Sequence, residues 1–219
     1  MNKNMFFSKD IFCEHYNGGG KLIVFFPGFP SMPTTPEFIN NRINIIMPRY
    51  PGSWESNGKF SHKNNIKQMI NLCKSLENKI IILSCSYGSL VASEVIKKIG
   101  KIVDVHIMVT PFLGCKFDLS KEKSKVEKYM KNVYRFEKSF DDFEREITNA
   151  NVKISGKNYV ILCSQDQEIN ECFYDVMNKS DADIKVDIVQ AKHGYDANIK
   201  SMPLILRFLN EYQGDQKVD

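Results

Sequence analysis

The sequence has no apolar run approaching the roughly 18 residues that a membrane-spanning helix needs. It has no internal repeat and no low-complexity linker, which argues against an array or a tethered multidomain chain. None of its six cysteines forms a Cys-x-x-Cys pair, and no Cys/His spacing suits a structural zinc site. Cys73, Cys85 and Cys163 fall inside apolar strand or helix patterns, where cysteine behaves as a small hydrophobe. All six are expected as free thiols in a reducing compartment. Basic residues are not massed: 30 Lys and Arg against 26 Asp and Glu leave a net charge of +4, short of the balance that marks nucleic-acid binding. The Met5-Phe6-Phe7 cluster is too short for the apolar region of a signal peptide, so a cytoplasmic location is expected, with no integral membrane segment.

What is present points to a folded domain. Aromatic residues at 11% and hydrophobic residues at 42% supply enough apolar surface to offset the ordering entropy of the chain. A length of 219 residues fits a single domain over 1–219. Continuous apolar runs lie at 22–26, 43–46, 80–83, 103–109, 159–163 and 184–189, the pattern of strands buried on both faces. Helical periodicity falls between them. Ser61 is placed to cap one helix, Gly100 to end another, and Pro203 to open the last. Strand–helix alternation predicts an α/β architecture: a mainly parallel sheet with helices on both faces. In such sheets a ligand sits beyond the carboxyl ends of the strands. One segment breaks the alternation. Residues 112–151 are Lys-rich and carry Tyr129, Tyr134, Phe136, Phe140 and Phe143 at roughly helical spacing. They read either as surface helices packed on the sheet or as a small helical cap over the site.

The chemistry concentrates after the 80–83 strand. Ser84-Cys85-Ser86-Tyr87-Gly88 is small-x-Ser-x-Gly between a strand and a helix. A strand that turns at once into a helix strains the residue at the apex. Small residues two before and two after that apex let the two elements approach. Ser86 is the apex, and the N–H of Tyr87 points at the space in front of it, where it can bind a developing oxyanion. A nucleophilic serine needs a base, and the base an orienting carboxylate. Asp166 follows the 159–163 strand and His193 the 184–189 strand, both on the rim that carries Ser86. Each has a plainer alternative: Ser86 as a helix cap, Asp166 as the N-cap of the next helix, His193 as a turn residue. Glu168, Glu171 and Asp104 are rival carboxylates, and Cys85 is a rival nucleophile set at an inward position. His106 reads as a packed core residue, and His15 and His62 show no partner pattern. Trp54 reads as a pocket wall or a loop anchor, with Tyr50 beside it.

Taken together these motifs resemble the α/β-hydrolase superfamily. Residues 84–92 look like its nucleophile elbow and following helix, with Ser84 where glycine is usual. Phe25-Phe26-Pro27-Gly28-Phe29-Pro30 looks like its oxyanion-hole loop, with Pro27 in place of the usual histidine. Met47-Pro48-Arg49-Tyr50-Pro51-Gly52 looks like the turn after its fourth strand. The resemblance implies that the N–H of Phe29 is the second oxyanion donor; Pro30 has none to offer. It also implies that the family's first two strands are reduced here to whatever residues 1–20 form. The function expected is a serine hydrolase acting on an ester or thioester through an acyl-enzyme on Ser86, with Asp166 and His193 completing the catalytic set. No metal or organic cofactor is signalled. The expected partner is a small-molecule or acyl-carrier-type acyl substrate. An acyltransferase with the same triad, or a non-catalytic binding protein of the same fold, are the alternatives.

Overall fold

The computed structural model describes residues 2–32, 43–76, 78–115 and 118–214. Eight strands form one sheet: β1 (Asn2–Ser8), β2 (Ile11–Asn17), β3 (Leu22–Phe26), β4 (Asn44–Pro48), β5 (Ile80–Cys85), β6 (Val103–Val109), β7 (Lys157–Cys163) and β8 (Asp183–Val189). Their order across the sheet is β1-β2-β4-β3-β5-β6-β7-β8. β1, β2 and β4 pair antiparallel, and every neighbour from β4 to β8 pairs parallel. β5 shows why the apolar runs are unbroken. Ile80 and Ile82 join the core on one face of the sheet, and Ile81 and Leu83 join the core on the other. The strand order reverses between β3 and β5, which opens a crevice beyond their carboxyl ends.

The helices are α1 (His62–Lys74), α2 (Tyr87–Ile99), α3 (Ser120–Tyr129), α4 (Phe140–Thr148), α5 (Gln167–Met177) and α6 (Tyr195–Gly214). Ser61 caps α1 as expected: its Oγ accepts from the Asn64 N–H at 3.2 Å. Residues from α1, α2, α4 and α5 pack into one core, and α6 closes the other with Ala197, Ile205 and Leu209.

Three expectations from the sequence are corrected. Residues 2–17 are not a remnant but a full hairpin of two seven-residue strands. β1 was hard to see because its side chains are mostly exposed, so it carries no buried apolar run. Pro203 does not open the last helix; it lies inside α6, which starts eight residues earlier at Tyr195. The apolar stripe from Ala197 through Met202 to Ile205 runs straight past the proline, so packing outweighs the one missing backbone donor. Finally, Cys115 and Cys172 are not free thiols but a disulfide, with Cα atoms 5.9 Å apart across a sequence separation of 57. Cys13, Cys73, Cys85 and Cys163 are free and buried.

The 112–151 segment shares the main core through Leu119, Val126, Phe140, Phe143 and Ile147. It is also stitched to the loop between β4 and α1 by single β-bridges, Ser53 with Tyr134 and Phe60 with Phe136. Among the described residues no helix is long and apolar enough to cross a membrane.

Ser201 in α6 is fully buried, and its Oγ meets no partner among the described residues. A buried hydroxyl without a partner is costly. Ser201→Ala is expected to raise the unfolding free energy by about 1 kcal/mol and Tm by roughly 2–4 °C. Thermal unfolding followed by circular dichroism checks this; an unchanged or lower Tm rejects it.

Candidate active site

β5 passes into α2 through one residue, Ser86, at φ 47° and ψ −123°. That conformation is costly for a residue with a side chain, of order 1–3 kcal/mol, and survives only where the surroundings hold it. Here they do. The Ser86 N–H donates to the Val109 carbonyl at 3.0 Å, and the Ser86 carbonyl accepts from the N–H groups of Ser89 (2.9 Å) and Phe112 (3.2 Å). Gly88 explains the small-residue requirement two positions on. A Cβ there would lie 2.0 Å from the Phe26 carbonyl oxygen, so only glycine lets α2 approach the end of β3 this closely. Two positions before the apex, the Ser84 side chain is wholly buried and spends its hydroxyl on Ser89 Oγ (2.9 Å) and His106 Nε2 (2.7 Å).

The structure brings Ser86, His193 and Asp166 together. His193 Nε2 lies 2.9 Å from Ser86 Oγ, and its Nδ1 lies 2.5 Å from Asp166 Oδ2. A proton on Nδ1 donated to that carboxylate leaves the Nε2 lone pair to accept from the serine. Asp166 does stand at the N-cap position of α5, yet its side chain makes no capping bond. The rivals are elsewhere. Asp104 lies near the start of β6, away from the carboxyl ends, paired with Lys21 and Lys79. Glu171 accepts from Gln167 on the surface, and Glu168 lies on the cavity wall but is exposed. Burial pushes the Cys85 thiol up to about 12, and it donates to Asn198 Oδ1 at 3.1 Å, which leaves it unsuited to attack.

The loop after β3 lies against the elbow: an added Cβ on Gly28 would come 3.4 Å from Ser86 Cβ. Phe29 anchors this loop. Its ring packs among Phe60 (5.2 Å between centroids), Tyr134 (4.9 Å) and Phe143 (4.8 Å). Just beyond, Ser31 is pinned from two sides. Its N–H donates to Tyr134 Oη at 2.8 Å, and its carbonyl accepts from Trp54 Nε1 at 2.9 Å. The Tyr87 side chain points away from the crevice into the core. Its Oη accepts from Asn65 Nδ2 at 2.8 Å and lies 3.1 Å from His62 Nδ1.

These groups open on a cavity of about 1070 Å³ that includes Ser86, His193, Phe29 and Tyr87 in its walls. Trp54 and Tyr50 both line it, so Trp54 is at once wall and loop anchor. Tyr50 is almost wholly buried, and its Oη meets no partner among the described residues. Of the aromatic residues Tyr129, Tyr134, Phe136, Phe140 and Phe143, the last four pack on Phe29 and only Tyr129 reaches the cavity. Phe112, Leu119, Met130 and Ile147 add to the apolar lining from the 112–151 segment. Sequence reasoning missed Thr110, a β-branched residue at φ 42° after β6 that also lines the cavity. It also missed the partners of three histidines: Tyr87 for His62, Ser84 for His106 and Asn44 for His15. These depend on which strands and helices become neighbours. Among the described residues no group of three or more His, Cys, Asp or Glu comes together as a metal site.

Burial holds His62 down to about 4 and His106 to about 3. The unfolded chain takes up protons on both near pH 6.5, where the folded protein refuses them. Unfolding free energy is therefore full above about pH 6.5 and falls as pH drops toward 4, by up to about 1.4 kcal/mol per pH unit for each histidine. Urea unfolding between pH 7.5 and 4.5 checks this, and His62→Gln is expected to flatten the slope. Gly88→Ala is expected to abolish soluble folded protein or to displace α2. A native-like melt with unchanged near-UV circular dichroism rejects it.

No family model and no curated protein sequence matches the chain. Solved structures do. Alpha/beta hydrolase domain-containing protein 10 from mouse superposes with a TM-score of 0.70 at 14% identity, covering 99% of this chain and 100% of that one. A monoacylglycerol lipase from Paleococcus ferrophilus gives 0.61 at 15% identity, over 91% and 98% of the two chains. The thioesterase domain from the curacin biosynthetic pathway gives 0.61 at 8% identity, over 95% and 99%. At such identities the likeness is one of architecture. It agrees with the strand order, the turn at Ser86 and the crevice beyond β3 and β5: the chain has the α/β-hydrolase fold.

Proposed function

We propose that the protein is a serine hydrolase that cleaves an ester or thioester through an acyl-enzyme on Ser86. The observation that carries this reading is the hydrogen-bonded series Ser86–His193–Asp166, set on a strained turn at the wall of a largely apolar cavity. His193 Nε2 takes the Ser86 proton as Oγ attacks the carbonyl carbon, and the Asp166 carboxylate stabilises the imidazolium that forms. The carbonyl oxygen becomes an oxyanion, bound by the N–H groups of Tyr87 and Phe29. Tyr87 opens α2, so its N–H is among the first-turn donors that have no intrahelical partner. Each such donor is worth about 3 kcal/mol of barrier. His193 then returns its proton to the leaving alcohol or thiol. A water activated by the same nitrogen attacks the acyl-enzyme and releases the acid.

In this reading Trp54 and Tyr50 form part of the acyl wall, and residues 112–151 act as a cap that excludes water from it. The hydrolase and esterase names carried by proteins of the same fold, and the thioesterase among them, agree with the reaction class. An acyl-carrier-type donor remains within it.

Labelling with a fluorophosphonate probe tests the reading. A single adduct on Ser86 is expected by intact mass and peptide mapping, absent from Ser86→Ala and lost from His193→Ala. With p-nitrophenyl and acyl-thioester substrates, Asp166→Asn is expected to lower kcat by roughly 10³–10⁴-fold. A folded protein that takes no label overturns the proposal.

A further inference from the structure

Beneath Ser86, three side chains from three elements meet in the buried interior: Ser84 at the end of β5, Ser89 in the first turn of α2 and His106 on β6. None is more than 1% exposed. Ser84 Oγ is the hub, 2.9 Å from Ser89 Oγ and 2.7 Å from His106 Nε2. A third contact, to the Ile107 carbonyl at 3.4 Å, is too long to matter much. The hub stands two residues before the apex, where the family that the elbow resembles usually carries glycine.

A hydroxyl at this place must find partners or destabilise the core. Meeting that need does not by itself require a histidine from the next strand. The outcome here is a chain of bonds that crosses every element entering or leaving the turn. Ser89 also sends its N–H to the Ser86 carbonyl at 2.9 Å and receives Ser93 Oγ on its own carbonyl at 2.8 Å. One residue is thus bonded both to the hub and to the strained apex. His106 extends the chain to β6, the strand whose Val109 carbonyl accepts the Ser86 N–H. Within β5 and β6 the pairing sets His106 opposite Ile82 and Met108 opposite Ser84, so the imidazole reaches diagonally along one face to the hub.

We propose that Ser84, Ser89 and His106 are positioning residues that hold Ser86 Oγ in line with His193, replacing by hydrogen bonds the close packing that glycine gives elsewhere in this fold. The inference rests on the reading of Ser86 as nucleophile. It makes an unusual demand: in this chain, glycine at position 84 should be harmful to rate although the backbone there accepts it.

The experiment measures kcat, KM, the second-order rate of fluorophosphonate labelling and Tm for the wild type, Ser84→Gly, Ser89→Ala and the double variant. Expected are folded proteins with KM within about twofold of wild type and kcat and labelling rate lowered by roughly tenfold to a hundredfold. The double variant is expected to lose no more than the worse single one, because both act through one network. Ser89→Ala carries the test if Ser84→Gly does not fold. The proposal is overturned if kcat per labelled site stays at the wild-type value in either folded variant, or if the two losses multiply as independent effects. A wild type that takes no label overturns the nucleophile reading and this inference with it. A labelled wild type with equally fast variants overturns this inference alone.

Discussion

β5 and α2 meet with no loop between them, and much of the site follows from that junction. Joining a strand to a helix in one step leaves Ser86 in a backbone conformation that a side chain disfavours. α2 packs onto the end of β3 so closely that there is room only for glycine at position 88. The loop after β3 lies against the apex, with Gly28 beside Ser86. The packing of one helix terminus thus bears on where the Ser86 hydroxyl stands.

The surroundings share the load on two sides. Under the sheet end, Ser84, Ser89 and His106 form a buried polar network. Toward α1, Asn65 and His62 hold the phenol of Tyr87. Both histidines are kept neutral by burial, so each network is a set of neutral hydrogen bonds and carries no buried charge. Phe29 is fixed differently, by rings from the 112–151 segment and Phe60. The apolar stripe of that segment therefore does more to hold the loop after β3 than to line the cavity. The Cys115–Cys172 bridge ties the start of the same segment to α5, the helix that Asp166 precedes. The bridge thus joins a segment that lines the cavity to the helix that follows Asp166.

Much of this was legible in the chain alone. Unbroken Ile/Val/Leu runs marked the central strands because a strand covered on both faces has no polar side to show. The Ser84–Gly88 spacing marked the turn, because its steric demand falls on residues close in sequence. Asp166 and His193 come near Ser86 because the parallel strands β5, β7 and β8 send their carboxyl ends to one rim. β1 escaped because an exposed edge strand needs no apolar pattern, and the start of α6 escaped because a proline can be tolerated within a well-packed helix.

What the sequence by itself determined is the set of local demands: which runs are buried, where the chain must turn sharply, and which chemical groups follow which strands. What only the tertiary structure decided is every relation between distant residues. The Cys115–Cys172 bridge, the pairing of His106 with Ser84 and of Asn65 with Tyr87, the seat of Phe29 among the rings and the double use of Trp54 belong to that class. The physical reason is range. Backbone sterics and periodicity act over a few residues and leave a local pattern. Contacts between side chains far apart in sequence exist only after the sheet order and helix packing have set which faces meet.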